Sequence, residues 1–222
     1  MMKMKVFAVI PAYNEEKRIY NVVKKAAGFV DTVVVVDDGS RDNTRETAKK
    51  GRAIVLNHLV NLGKGAALKT GCDYALKSKA DIIIVMDADA QHDPLDIPKF
   101  LNKIKEYDVV LGQRKINKSM PLVFRFGNWF IDETIKFLYG VKINDSQCGY
   151  RAFTADAYRK IRWKASGYSM ESEMIAKIGK NKLSYIGVPI DTIYSDKYKG
   201  TTILDGIKIV FNLLFWKLNN RS

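Results

Sequence analysis

Two acidic clusters follow runs of apolar residues in the first half of the chain. Thr32 to Val36 ends in Asp37-Asp38-Gly39-Ser40, and Asp81 to Met86 ends in Asp87-Ala88-Asp89-Ala90-Gln91-His92. Carboxylates at the C-terminal ends of apolar strands lie where open α/β sheets bind ligands. An alternating Asp-x-Asp leaves the strand with both carboxyl groups on one side, so Asp87 and Asp89 can share one hard cation, Mg²⁺ or Mn²⁺, with Gln91 adding an oxygen. Such a cation would grip a diphosphate. Taken alone, an Asp-x-Asp more often only caps the following helix. The second cluster reverses those odds, because adjacent charges on Asp37 and Asp38 are disfavoured at a strand end unless a ligand or cation uses them. A base or ribose offers amide and hydroxyl donors that a carboxylate accepts. Asn61-Leu62-Gly63-Lys64-Gly65 adds a lysine between glycines at a helix start, where backbone N–H groups and an ammonium favour phosphate. That segment lacks the spacing of a P-loop.

The elements that must carry these residues follow from periodicity. Val6 to Ile10 reads as a strand stopped by Pro11, and Asn14-Glu15-Glu16 as the cap and acidic first turn of a helix through Ala27. Strand Thr32 to Asp37, helix Asp42 to Lys50, strand Ala53 to Leu56, helix Lys64 to Lys77 and strand Asp81 to Met86 continue the alternation. A helix over 96–104 and a strand over 108–111 complete it. This order implies right-handed βαβ units and a mainly parallel central sheet flanked by helices, an α/β fold. Residues 1–116 then form a nucleotide half and 117–200 an acceptor half, with an amphipathic tail at 201–222. Two helical segments stand out, Pro121 to Tyr139 and Ile203 to Leu218. Both are apolar over most of their circumference, with Trp and Lys near the end of the second. Helices of this kind lie on a lipid surface as peripheral anchors, or pack in the core or in a homodimer interface.

Composition narrows the partners. A chain of 222 residues, 47% hydrophobic and 11% aromatic, can bury a full core, and its formal charge of +13 implies an anionic partner. Nucleic acid is disfavoured, since no predicted sheet face interleaves aromatic and basic residues. An anionic membrane surface and phosphorylated small molecules remain. Cys72 and Cys148 form no C-x-x-C, which fits a reducing compartment, and Cys148 reads as a small buried side chain. His58 reads as a surface residue and His92 as a neighbour of bound phosphates. No stretch approaches the ~20 apolar residues that span a bilayer, and the start lacks a signal-peptide core, so a cytoplasmic location is expected.

Four motifs agree in order and spacing. Pro11-Ala12-Tyr13-Asn14-Glu15, Val36-Asp37-Asp38-Gly39-Ser40, Asn61-Leu62-Gly63-Lys64-Gly65 and Asp87 to His92 resemble glycosyltransferase family 2, whose fold is GT-A. The resemblance implies a nucleotide-sugar donor, with Pro11, Ala12, Tyr13, Glu15 and Asp37 or Asp38 around the nucleoside. It places Lys64 near the phosphates and Asp87 and Asp89 on the metal. Gly112-Gln113-Arg114, Arg125 with Asn128, and Asp145 to Arg151 are similar to the dolichyl- and polyprenyl-phosphate mannose and glucose synthases. Inverting transfer from GDP-mannose or UDP-glucose to a polyprenyl phosphate is then implied, with Asp89, Arg114, Arg125 and Asp145 as catalytic candidates. A lipid monophosphate, with a second pKa of about 6, is already anionic and demands cations. Arg114, Arg125, Arg151, Lys197 and Lys199 are candidates to hold it. A glycan or protein hydroxyl acceptor would instead need a carboxylate base, Asp145 or Glu173. A basic nucleotide- or nucleic-acid-binding module without turnover is the reading from another class; it would bind generic RNA in a salt-sensitive way and ignore nucleotide sugars.

Overall fold

Period-two alternation along the first strands decides the architecture. Val6, Ala8, Ile10, Val33, Val35, Ile82 and Ile84 face one apolar layer, while Phe7, Val9, Val34, Val36, Ile83 and Val85 face the other. Strands apolar on both faces must be covered by helices on both sides. The computed structural model, which describes residues 4–114, 122–167, 169–191 and 203–219, shows that arrangement.

Seven strands form one sheet: β1 (Val6–Ala12), β2 (Thr32–Asp37), β3 (Ile54–Asn57), β4 (Ile82–Val85), β5 (Val109–Arg114), β6 (Arg151–Thr154) and β7 (Tyr185–Ile190). Their order is β3-β2-β1-β4-β6-β5-β7. Strand β6 runs antiparallel to both β4 and β5, and every other pairing is parallel. Helices α1 (Ile19–Ala26), α2 (Thr44–Lys50) and α4 (Ile97–Lys103) cover one face. Helices α3 (Lys64–Lys77), α5 (Leu122–Tyr139), α6 (Ala155–Ile161), α7 (Met170–Lys180) and α8 (Ile203–Leu218) cover the other.

Chain order reverses around β1, which pairs with β2 on one side and β4 on the other. The crevice beyond the C-terminal ends of those strands is the ligand position in open α/β sheets. Both acidic clusters leave the sheet there. The antiparallel entry of β6 matters as much: Arg151 is level with Val85 and Leu111, so the loop before it arrives at the same edge.

Some local expectations need correction. Strand β1 continues through Pro11 to Ala12, and the next helix begins only at Ile19. Asn14 takes a positive φ of 56°, and its Oδ1 accepts from Arg41 N, so Asn14-Glu15-Glu16 is a turn bound to the loop after β2. The Glu15 and Glu16 amides donate to Thr44 Oγ1 and Asp42 Oδ2. The two aromatic helices, expected either on lipid or in an interior, divide by face. Ile131 and Ile135 of α5 and Ile209 and Leu213 of α8 are buried in the core, and Tyr139 Oη donates to Leu213 O at 2.7 Å. Trp129, Phe130, Phe137, Ile207, Phe211, Phe215 and Leu218 stay exposed. No helix among the described residues is long and apolar enough to cross a membrane.

The division by face predicts unequal costs within one helix. Leu213→Ala empties a fully buried position and should lower unfolding stability by about 2–5 kcal/mol. Phe211→Ala, at an exposed position, should change it by no more than about 0.5 kcal/mol. Urea denaturation of the two variants measures both; equal losses would mean that α8 is not docked in this orientation.

Candidate active site

A cavity of about 440 Å³ opens at the carboxyl edge of the sheet. One wall comes from the end of β1 and the loops after β2 and β3: Pro11, Ala12, Tyr13, Glu15, Asp38, Asn61 and Gly63. Its organiser is Asp38. Asp38 Oδ1 accepts from Leu62 N at 3.0 Å and lies 2.6 Å from His58 Nδ1, while Oδ2 accepts from Gly63 N at 2.8 Å. Gly63 has a φ of 95°, and a Cβ there would lie 2.7 Å from Ser166 O, so only glycine lets this loop approach. His58 is not a surface residue: its ring spans Asp38 and Thr70 Oγ1 (3.0 Å), fixing the carboxylate to α3. Asp37 does not line the cavity; its Oδ1 accepts from Ser40 N and closes the turn.

The floor is ionic. Lys64 Nζ, at the first residue of α3, lies 2.7 Å from Asp87 Oδ1 and 3.1 Å from Glu171 Oε1. Burial opposes the Lys64 charge, but the two carboxylates more than compensate and hold its pKa well above the ordinary lysine value. Burial likewise works against the Asp87 carboxylate, and the Lys64 ammonium overrides it, lowering the pKa. Asp89 differs: burial and the neighbouring Asp87 charge push its pKa up, and one oxygen accepts from Gln91 N. His92 is depressed by burial and so neutral, with Nδ1 accepting from Asp87 N at 3.3 Å.

Five carboxylates line the cavity, Glu15, Asp38, Asp87, Asp89 and Glu171, against one lysine and one arginine. A site so acidic repels a free diphosphate. A divalent cation on Asp87 and Asp89 fits, because it relieves the carboxyl whose charge is disfavoured and turns repulsion into a bridge. Among the described residues no third His, Cys, Asp or Glu converges to close a metal cage. An open pair suits Mg²⁺, which binds through one or two carboxylates and completes its shell with water and phosphate oxygens. Gln91 lines the same wall.

The far wall is formed by Arg114, Asn128, Gln147, Gly149, Gly167 and Glu171. At Gly149 a Cβ would sit 2.8 Å from Lys64 Nζ and 3.0 Å from Asp87 Oδ2, so a side chain there would split the ion pair.

Comparison with known proteins now decides the family. The model of "Glycosyl transferase family 2" matches residues 7–162. This chain belongs to glycosyltransferase family 2. A UDP-N-acetylglucosamine–dolichyl-phosphate N-acetylglucosaminyltransferase of Methanococcus voltae is 37% identical over 243 residues, covering 96% of each chain. An undecaprenyl-phosphate mannosyltransferase of Micrococcus luteus is 28% identical over 234 residues, covering 98% of this chain and 96% of that one. Glucosyl-3-phosphoglycerate synthase of Mycobacterium tuberculosis, solved with Mg²⁺ and UDP, superposes with a TM-score of 0.74 at 19% identity, covering 96% of this chain and 79% of that one. The fold is therefore the GT-A fold.

Within this transferase several charged candidates serve the frame. Arg151 is 1% exposed, and its donors go to the carbonyls of Cys148, Ser146 and Glu171 at 2.7–2.9 Å and to Met174 Sδ. It knots the loop before β6 to α7 and is not among the residues that line the cavity. Asp145 is paired: Arg114 Nε and Nη2 donate to its two oxygens at 2.7 Å, and Arg114 N adds a third bond. The pair holds Arg114 at the cavity wall. Glu173 is committed to Lys164 N, Ala165 N and Lys177 Nζ. Lys197 and Lys199, and the Arg125 side chain, lie outside the described residues. Glu171 is not among the residues that the sequence singles out: with Glu173 it stands in the first turn of α7, where the helix dipole alone accounts for a negative charge. Two positions apart on a helix, the pair must face different ways, and that spacing was the available signal.

One buried acid ties the wall to pH. Asp132 of α5 accepts from Ser146 N at 3.0 Å, and burial, outweighing that bond, raises its pKa to about 6. A raised carboxyl pKa means the fold favours the protonated form, so the stabilisation is full below about pH 4 and is lost as pH rises through 6. Relative to Asp132→Asn, the wild type should lose about 2–3 kcal/mol between pH 4 and 7. Parallel pH profiles of unfolding free energy for the two proteins would contradict this.

Proposed function

We propose that this enzyme transfers a hexosyl group, with inversion at the anomeric carbon, from a nucleotide-diphosphate donor to a polyprenyl phosphate at a membrane surface. The observation that carries the acceptor assignment is on α5. Asn128 lines the cavity, the next two residues, Trp129 and Phe130, are exposed, and α5 packs against α8, which exposes Ile207, Phe211 and Phe215. A lipid lying on that face would deliver its phosphate to the wall where Arg114 stands. The names of the M. voltae and M. luteus relatives point to the same acceptor class and include both a 2-acetamido hexose and mannose among the sugars.

The residues divide the work. Pro11, Ala12, Tyr13 and the loop held by Asp38 form a slot for the nucleoside, and Lys64 meets the diphosphate with a permanent charge. Asp87 and Asp89, with Gln91, would hold Mg²⁺ or Mn²⁺. When bound, the cation neutralises the leaving diphosphate. Arg114, locked by Asp145, orients the acceptor phosphate for in-line attack on the face opposite the leaving group. A phosphate oxygen carries its own charge, so no base is needed. That agrees with Asp145 and Glu173 being spent on structure, and it disfavours a glycan or protein hydroxyl as acceptor. The exposed aromatic face, the +13 charge and the two free cysteines support a peripheral enzyme on the cytoplasmic side.

The decisive test incubates the protein with radiolabelled UDP- and GDP-hexoses, UDP-N-acetylglucosamine included, together with Mg²⁺ or Mn²⁺ and polyprenyl phosphate. Label should enter the organic phase, and Asp89→Ala should slow its transfer on the order of a hundredfold. Transfer to a soluble glycan with none to the lipid would falsify the acceptor assignment; full activity in chelator would remove the metal.

Membrane contact has a separate readout. The protein should float with anionic vesicles at low salt, and a Phe211→Ser/Phe215→Ser double variant should float about tenfold less. A wild type that never floats and sediments as a dimer would assign this face to a second copy of the chain.

A further inference from the structure

Among the described residues, Glu171 is the one acid of the cavity with a buried oxygen that no group satisfies. Its side chain is 4% exposed, and Oε1 lies on Lys64 Nζ at 3.1 Å. The other oxygen, Oε2, is buried and has no hydrogen-bond partner among the described residues. Leaving a buried carboxylate oxygen unpaired costs more than an ordinary hydrogen bond returns, so such an atom at a cavity wall marks a place that a ligand completes. The backbone around it is tightly fixed. Arg151 Nη1 donates to the Glu171 carbonyl at 2.9 Å, and Gln147 Nε2 donates to Ser172 Oγ at 3.0 Å.

Position says which part of a ligand reaches it. The nucleoside slot lies at the ends of β1 and β2, and Lys64 and the Asp87–Asp89 pair come next. Past the Asp87–Asp89 pair along the sheet edge come Gln147 and Gly149 of the loop before β6, with Glu171 on Lys64, while Gly167 sits beside Gly63. Gly149 leaves no space of its own, because Lys64 Nζ and Asp87 already fill the place of a Cβ there, but a Cβ at Gly167 would meet nothing within 4 Å. A group attached to a distal phosphate held at Lys64 comes within reach of Glu171, which touches the same ammonium. A carboxylate with a free lone pair, facing a group rich in hydroxyls, accepts a charge-assisted hydrogen bond.

We propose that Glu171 reads the donor's sugar: Oε2 accepts a ring hydroxyl of the hexosyl group while Oε1 stays on Lys64. The proposal rests on the nucleotide-sugar reading above and deepens it, making Glu171 a specificity residue. Sites built to bond a substrate hydroxyl discriminate strongly against analogues lacking it, because the protein group is then left unpaired.

Calorimetry can separate this from a role in merely holding Lys64. Affinities of UDP and UDP-N-acetylglucosamine, and of GDP and GDP-mannose, are compared in Mg²⁺ for wild type and Glu171→Gln. The amide keeps the shape and one acceptor but loses the second. The sugar nucleotide should weaken by about ten- to hundredfold relative to its own nucleotide, whose binding also reports that the variant is folded. Equal weakening of both members of a pair would make Glu171 an anchor for Lys64 alone and overturn the proposal. Donors deoxygenated singly at O3, O4 and O6 give a readout that needs no variant: the wild type should lose about tenfold or more for one of them, and indifference to all three overturns the proposal as well. A wild type that binds no nucleotide sugar would instead overturn the donor reading itself.

Discussion

A single half-buried ammonium, Lys64, organises this molecule's working edge. It joins the start of α3 to the exit of β4 through Asp87 and to α7 through Glu171. Removing one member of a partly buried ionic set leaves the others uncompensated, so the three elements are bound to one geometry. Much of the surrounding backbone exists to allow it. Gly149 makes room for the ammonium and Asp87, the Asp38 carboxylate holds the turn that launches α3, and Trp163 Nε1 donates to Gly65 O at 2.8 Å from the opposite side. The nucleoside slot and the ionic floor are thus not independent. A disturbance at His58 or Asp38 reaches Lys64 through two residues of backbone.

The first half of the fold was legible because its strands carry β-branched residues on both faces and its helices, apart from the start of α1, fall where periodicity and punctuation put them. Helix α3 falls on Lys64–Lys77 as periodicity and the preceding glycine indicate. Past residue 116 those signals fade. Strand β6 has four residues, Arg151–Thr154, and begins with a charged side chain, so no alternation is long enough to read. Strand β7 holds Gly187 and Pro189, residues depleted in strands. It survives because it sits at the sheet's edge, where a missing N–H is tolerated, and because Gly187 lets the Gln113 side chain lie against it. Neither strand is short of tertiary reasons. Both lack local ones.

The same limit governs the charged residues. Asp87, Asp89 and Lys64 could be picked out because their chemistry is written in spacing: alternation after a strand, and a lysine between glycines. Arg151, Asp145 and Glu173 have the right types but the wrong partners, and partnership is set by contacts far along the chain. Glu173 is spent on amides eight and nine residues away, and Arg114 and Asp145 meet across thirty-one residues. His58 looked like a solvent-facing histidine for the same reason, since Asp38 is twenty residues distant. Residue type nominates a site, and only saturation of donors and acceptors tells a frame charge from a working one.

That distinction also resolves a tension in the electrostatics. A protein of charge +13 attracts anions over most of its surface, yet the cavity itself is lined by an excess of carboxylates. The two fields act at different ranges. Long-range attraction, effective over about 8–10 Å at physiological salt, gathers nucleotide diphosphates and holds the molecule against anionic lipid. Inside the cavity the dielectric is lower, and contact charges dominate. There the excess acid opposes any anion arriving without a counter-cation, so free nucleotide and lipid phosphate are both repelled from the floor until a divalent ion covers Asp87 and Asp89. On the proposed reading this imposes an order on catalysis. The donor would occupy the floor first, with a cation held by Asp87 and Asp89 supplying the charge that offsets the carboxylates, and the far wall at Arg114 would then be electrostatically open to a second phosphate.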